Sequence, residues 1–223
     1  GLISHLDAQV GRILDALRDT GHADDTVIVY TADHGLALGS HGLLGKQNLY
    51  EHSMGAPLVI RGPGVSARQS DALVYLFDLM PTLLELAGVA APTGIDGASL
   101  APILRGSRRS VRDSLFTTYE DCQRAVRDRR YKLIRYPRIH KTQLFDLALD
   151  PHELTDLSLL DEHRERVLAM TSLLRDWQWR TGDPHPLTAP IQESAEIDLR
   201  GRSRRPDGHQ PPWIVEKYFP VER

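Results

Sequence analysis

Asp33 and His34 are adjacent, and Lys46 follows them at the end of one glycine-spaced loop. A carboxylate and an imidazole can place an oxygen and a nitrogen on one cation, and Gly35 lets the backbone turn tightly away behind them. An ammonium nearby offers a point positive charge to a sulfate or phosphate oxygen. Stabilising developing negative charge is often the largest contribution to catalysis of that kind. Together the three are the parts of a site for a metal-bound anion. Singly they have plainer readings: Asp33 can cap a turn, His34 can pack on a strand end, and Lys46 can be solvated. Two ligands do not complete a coordination shell, so further carboxylates must come from elsewhere.

These side chains need a frame. Thr26, Val27, Ile28, Val29 and Tyr30 form a β-branched and aromatic run without polar alternation, the pattern of a strand buried on both faces of a parallel sheet. Asp33 and His34 sit just past its carboxyl end, where ligands bind in open α/β sheets because the loops diverge there. Glycines at 35, 39, 42 and 45, with Ser40 and His41 between them, give a loop able to fold closely around a ligand.

The ordered stretch from 31 to 64 resembles the sulfatase family, within the alkaline phosphatase superfamily. The family pattern T-x-D-H-G is matched by Thr31, Asp33, His34 and Gly35. L-G-x-H-G-x-x-G-K is matched by Leu38, Gly39, His41, Gly42, Gly45 and Lys46. Tyr50, Glu51, Ser53, Pro57, Leu58, Gly62, Pro63 and Gly64 match the segment that follows. The resemblance continues more weakly through the 78–84, 94–97, 143–147 and 150–153 segments, and the last forty or so residues are the least diagnostic. It implies that Asp33 and His34 are metal ligands, usually of calcium, and that Lys46 contacts the sulfate. A nitrogen ligand departs from calcium's preference for oxygen, so magnesium and manganese stay open. His41 holds a recurrent family position and joins Lys46 as a substrate-binding candidate, without a defined role.

The family carries its nucleophile in a C-x-[PS]-x-R motif whose cysteine or serine becomes formylglycine. The single cysteine, Cys122, lies in Glu120-Asp121-Cys122-Gln123-Arg124 and does not fit. Nor is there a paired-aspartate motif followed by Pro-Asn, which supplies the family's other metal carboxylates. The expectation is a carboxyl-terminal part of a longer enzyme, with formylglycine upstream, inactive by itself. The implied reaction is hydrolysis of a sulfate ester, small-molecule or carbohydrate. Two rivals stand beside it: a phosphonate monoester or phosphodiester hydrolase of the same superfamily, and a catalytically silent homologue used for binding.

Composition permits this reading without naming it. The 223 residues, 41% hydrophobic, suffice for a sizeable core. A net charge of −3 argues against nucleic acid as a partner. The Arg-rich runs at 127–130 and 202–205 are short and read as solvated faces. No apolar run approaches the roughly 18 residues needed to span a membrane. One cysteine forms no internal disulfide, and Cys122 reads as a packed residue. Compartment stays open between cytoplasm and periplasm, and an oligomer is not ruled out.

The spacing predicts a helix over 2–20, ended by Gly21, whose apolar stripe lies on a sheet. A second short strand at 57–60 and a helix at 78–87, capped by Asp78 with Pro81 in its first turn, follow. These make residues 1–106 part of a three-layer α/β sandwich of the alkaline phosphatase kind. Strand candidates at 114–119, 123–127, 131–136 and 142–146, then a helix over 163–179, make 107–181 a small antiparallel subdomain. His140 and Lys141 there are candidate pocket residues or an exposed basic turn. Residues 182–223 read as an extended tail that wraps a neighbour or is partly disordered.

Overall fold

The computed structural model describes residues 1–196 and 211–219. Helix α1 (Leu2–Asp19) comes first, then strand β1 (Ile28–Thr31), the short helix α2 (Glu51–Met54), strand β2 (Leu58–Arg61) and helices α3 (Leu79–Leu86) and α4 (Ala101–Leu104). Strands β3 (Leu115–Tyr119), β4 (Gln123–Arg127), β5 (Tyr131–Tyr136) and β6 (Lys141–Asp146) form an antiparallel meander in sequence order. Helix α5 (Arg164–Thr181) crosses it, and α6 (Pro212–Tyr218) closes the described chain.

The meander holds the main core. Its alternation sends Val126, Leu133 and Leu144 to one face, where Met170 and Leu174 of α5 meet them. Ala125, Ile134 and Phe145 point to the opposite face and pack with Leu49, from the stretch just before α2. One sheet therefore buries both faces, and the second face is covered by the loop that carries Lys46.

The amino-terminal strands depart from expectation. β1 pairs antiparallel with β2, Ile28 opposite Arg61, and the two form a sheet of their own. Neither is buried on both faces among the described residues, and Tyr30 is 45% exposed. An apolar run specifies that a strand wants cover, not which neighbours supply it. The stripe of α1 likewise finds only partial cover: Val10, Leu14 and Leu17 are half-buried, while Leu2, Leu6 and Ile13 are exposed.

Asp78 also behaves differently. Its side chain does not cap α3. The carboxylate is fully buried, accepts the amides of Tyr75 (2.7 Å) and Ala98 (2.8 Å), and pairs in a fork with Arg112. A buried carboxylate needs such partners, and the bidentate guanidinium satisfies it better than one helix amide would.

In the tail, residues up to 193 run along the β5–β6 turn, with the Ala189 amide on Pro137 and the Glu193 amide on Arg138. The α6 turn was not foreseen; Pro211 and Pro212 preset its first φ angles. The expectation for 197–210 lies outside the described residues, as does Arg202–Arg205.

Candidate metal and anion site

Past β1, Gly35 fixes the turn. Its amide donates to the Ser53 carbonyl at 2.9 Å, and a Cβ here would lie 2.0 Å from the His52 carbonyl oxygen. Only glycine fits, so the Asp-His pair is held by a close approach of two backbones rather than by turn flexibility alone.

His34 donates from Nδ1 to the Gly35 carbonyl at 2.8 Å, since a carbonyl can only accept. That tautomer leaves the Nε2 lone pair free, and it faces Asp33 Oδ2 at 3.1 Å. Two acceptors so close repel unless positive charge lies between or beside them. The ammonium of Lys46 supplies it here by hydrogen-bonding Nε2. The structure thus brings Asp33, His34 and Lys46 together. The Asp33 side chain is 81% exposed and that of His34 29%, so the cluster is open to ligand.

The donor set fits a divalent cation: one anionic oxygen and one imidazole nitrogen, the latter oriented through its other ring nitrogen as metal-binding histidines are. It does not complete a shell of six or so ligands. The one tight group of three potential ligands among the described residues is Glu120, Asp121 and Cys122, between β3 and β4, with Asp121 paired to Arg138.

His41 sits on the same loop in a left-handed conformation, φ 54°. Its Nε2 bonds the His152 carbonyl at 3.0 Å and its ring stacks on Tyr50 at 4.0 Å. In that tautomer Nδ1 is an acceptor, which suits a substrate hydroxyl and not a sulfate oxygen. No hydrogen bond links His41 to Asp33, His34 or Lys46 among the described residues.

A polar cluster that sequence reasoning missed lies beneath the loop. Lys132 of β5, its side chain 3% exposed, meets Glu51 Oε1 at 3.0 Å and Glu153 Oε1 at 2.9 Å. Arg127 pairs with the other oxygen of Glu51, and Glu153 Oε2 accepts the Glu51 amide at 2.6 Å. Burial raises the pKa of Glu51, but Lys132 and Arg127 outweigh it and hold the carboxyl below the ordinary glutamate range. Burial, with His41 and Lys132 nearby, lowers that of His52, whose Nε2 is buried without a hydrogen bond. The signal available in sequence was Tyr50-Glu51 and Asp150-Pro151-His152-Glu153; the alternation of β5 could not show that Lys132 points inward. His140 bonds the Ala189 carbonyl at 2.7 Å.

A cavity of about 450 Å³ is lined by Asp33 together with Glu51, Phe77, Leu115 and Lys132. The larger cleft, about 910 Å³, runs between β2 and α4 and touches none of the site residues.

The family described as N-sulphoglucosamine sulphohydrolase, C-terminal, matches residues 39–179. This chain belongs to the sulfatase family. A choline-sulfatase from Rhizobium meliloti is 34% identical over 223 residues, covering 94% of this chain and 43% of the relative. A structure solved with its substrate D-glucosamine-2-N,6-O-disulfate superposes with TM-score 0.73 at 29% identity, covering 83% of this chain and 40% of that one. The phosphonate monoester hydrolase of Agrobacterium radiobacter superposes with TM-score 0.70 at 30% identity, covering 80% and 40%. The sulfatase chain therefore has the α/β fold of the alkaline phosphatase superfamily with its small antiparallel subdomain, and spans well under half the length of these relatives. No helix among its described residues is long and apolar enough to cross a membrane.

Proposed function

We propose that this sulfatase chain serves in the hydrolysis of sulfate esters, with Asp33 and His34 as two ligands of a divalent cation and Lys46 as the sulfate-binding cation. The observation that carries the reading is the shared focus of an Asp33 oxygen, the His34 Nε2 lone pair and the Lys46 ammonium.

Each residue has a definable task. Gly35 orients His34 by accepting its Nδ1 proton, so Nε2 is held ready as a donor of electrons. Asp33 adds negative charge that favours a cation at that point. A bound divalent ion, calcium first with magnesium or manganese as alternatives, would supply Lewis-acid polarisation of the ester and a template for its oxygens. With His34 Nε2 and an Asp33 oxygen holding such an ion, the Lys46 ammonium would be left for a sulfate oxygen. Lys46 then neutralises charge that grows on the sulfuryl oxygens as the ester bond breaks, and a fixed ammonium does so without reorganising. The nucleophile we place outside these 223 residues, as a formylglycine, because Cys122 lies in the wrong motif and hydrogen-bonds the Tyr119 carbonyl. By that reading the 223 residues alone are inactive.

The likeness to a phosphonate monoester hydrolase supports a second reading, hydrolysis of phosphonate monoesters or phosphodiesters, since a tetrahedral anion of either element suits the same three side chains. Parallel assays of the intact protein with 4-nitrophenyl sulfate, choline sulfate, a glucosamine sulfate and a phosphonate monoester separate the two. Preference for a sulfate is the expected result. Turnover of the phosphonate alone would replace the first reading by the second, and turnover of none would favour a silent homologue.

A further inference from the structure

Lys46 has four residues between it and each of two anchors, His41 before it and Glu51 after it. Both anchors are gripped by neighbouring residues of one distant turn. The His152 carbonyl takes His41 Nε2 at 3.0 Å, and the Glu153 carboxylate takes the Glu51 amide at 2.6 Å. The turn is itself fixed: Glu153, its side chain 1% exposed, ion-pairs through its other oxygen with the buried Lys132 at 2.9 Å. Glu153 also holds a left-handed backbone conformation, φ 57°, which lets adjacent residues present a carbonyl and a carboxylate to the same loop. Between the anchors the loop is short and carries the bond Asn48 N to Lys46 O at 2.8 Å, and Ala37 N to Gly45 O at 3.0 Å ties it back to the residues ahead of His41. A shift at either anchor therefore moves Lys46.

We propose that the 150–153 turn of the small subdomain is the positioning element for Lys46, with His41 and Glu153 as positioning residues that act through it. This rests on the sulfate-binding reading of Lys46 and extends it: the small subdomain helps set the geometry of the anion site. A displacement of about 1 Å at a catalytic group can cost on the order of a hundredfold in rate. Partial release of a loop held at a second point should cost less.

The test uses the intact protein and the sulfate ester it turns over fastest among 4-nitrophenyl sulfate, choline sulfate and N-acetylglucosamine 6-sulfate. His41→Ala and Glu153→Gln should each lower kcat about tenfold while KM moves less than about threefold. His41→Gln, which keeps a donor for the His152 carbonyl, should recover most of the lost kcat. In a Lys46→Ala background the same substitutions should cost less than about twofold, because what they position is gone. If Glu153→Gln does not accumulate as folded protein, the His41 variants decide by themselves. Additive losses in the Lys46→Ala background, or losses confined to KM, overturn the positioning role and leave the sulfate reading standing. Unchanged kcat in Lys46→Ala, or no turnover of any of the three esters by the wild-type protein, overturns the sulfate reading and this proposal with it.

Discussion

Two regions of this sulfatase chain hold charged side chains in opposite ways. At the loop past β1, Asp33 and Lys46 are exposed, His34 is half-buried beside them, and the three lie close together. Beneath the same loop, Lys132, Glu51, Glu153 and Arg127 are packed between sheet and helix, and each charge meets an opposite one. The first arrangement leaves capacity for a ligand; the second has used its capacity up. Charge alone therefore does not mark chemistry in this fold. What marks it is an acceptor pair at 3.1 Å with solvent beside it.

The contrast predicts that the two regions fail differently. The largest effect should come from Lys132→Met, which leaves the buried Glu153 carboxylate without its counter-charge; about 3–5 kcal/mol of folding stability should be lost. Denaturant titration reads this directly, and a loss below about 1 kcal/mol would mean that the cluster relaxes into water. Lys46→Ala should do the reverse. It should cost about 2–4 kcal/mol of transition-state stabilisation, seen in kcat, with an unchanged thermal midpoint. A drop in the midpoint would assign Lys46 to the scaffold and blur the distinction.

Acid should weaken the packed cluster specifically. The folded pKa of Glu51 lies below its ordinary value of 4.5, so its contribution to stability is fully present above that pH and is lost as pH falls through the folded value. His52 acts in the same direction from a higher pH: its folded pKa lies below 6.5, so protonation favours the unfolded chain as the medium is acidified. Stability measured from pH 7 down to 3 should fall, and Glu51→Gln should flatten the limb below 4.5 although its stability at pH 7 is lower. An identical slope in wild type and variant would remove Glu51 from the acid response. The smallest expected effect on stability is that of Asp33→Ala, within about 0.5 kcal/mol, because the side chain is exposed.

Much of this was readable from the chain itself, for reasons that differ by region. The meander β3–β6 and α5 follow from local alternation and helical spacing, and the bounds fall within a residue or two because one sheet and one helix cover each other. The trio at 33, 34 and 46 was legible because the residues share one loop. The partners of β1 were not legible. Its apolar run says only that it seeks cover, and the described chain provides one antiparallel neighbour. Asp78 does stand at the N-cap position of α3, but its carboxylate serves Arg112 instead of the helix amides, because capping is local whereas Arg112 is brought to it by the fold. The Lys132 cluster escaped for the same reason: Glu51 and Glu153 meet across a hundred residues of chain. His41 shows the limit most directly, since its position invited a substrate role while its Nε2 partner lies on a turn far along the sequence.

The most direct test of the central claim is elemental analysis of the intact protein beside its Asp33→Ala and His34→Ala variants, purified identically and checked for fold. The account predicts one divalent ion per wild-type chain, calcium foremost, and a sharp fall in both variants together with their sulfate-ester turnover. Stoichiometric metal and full activity retained in either variant would contradict it.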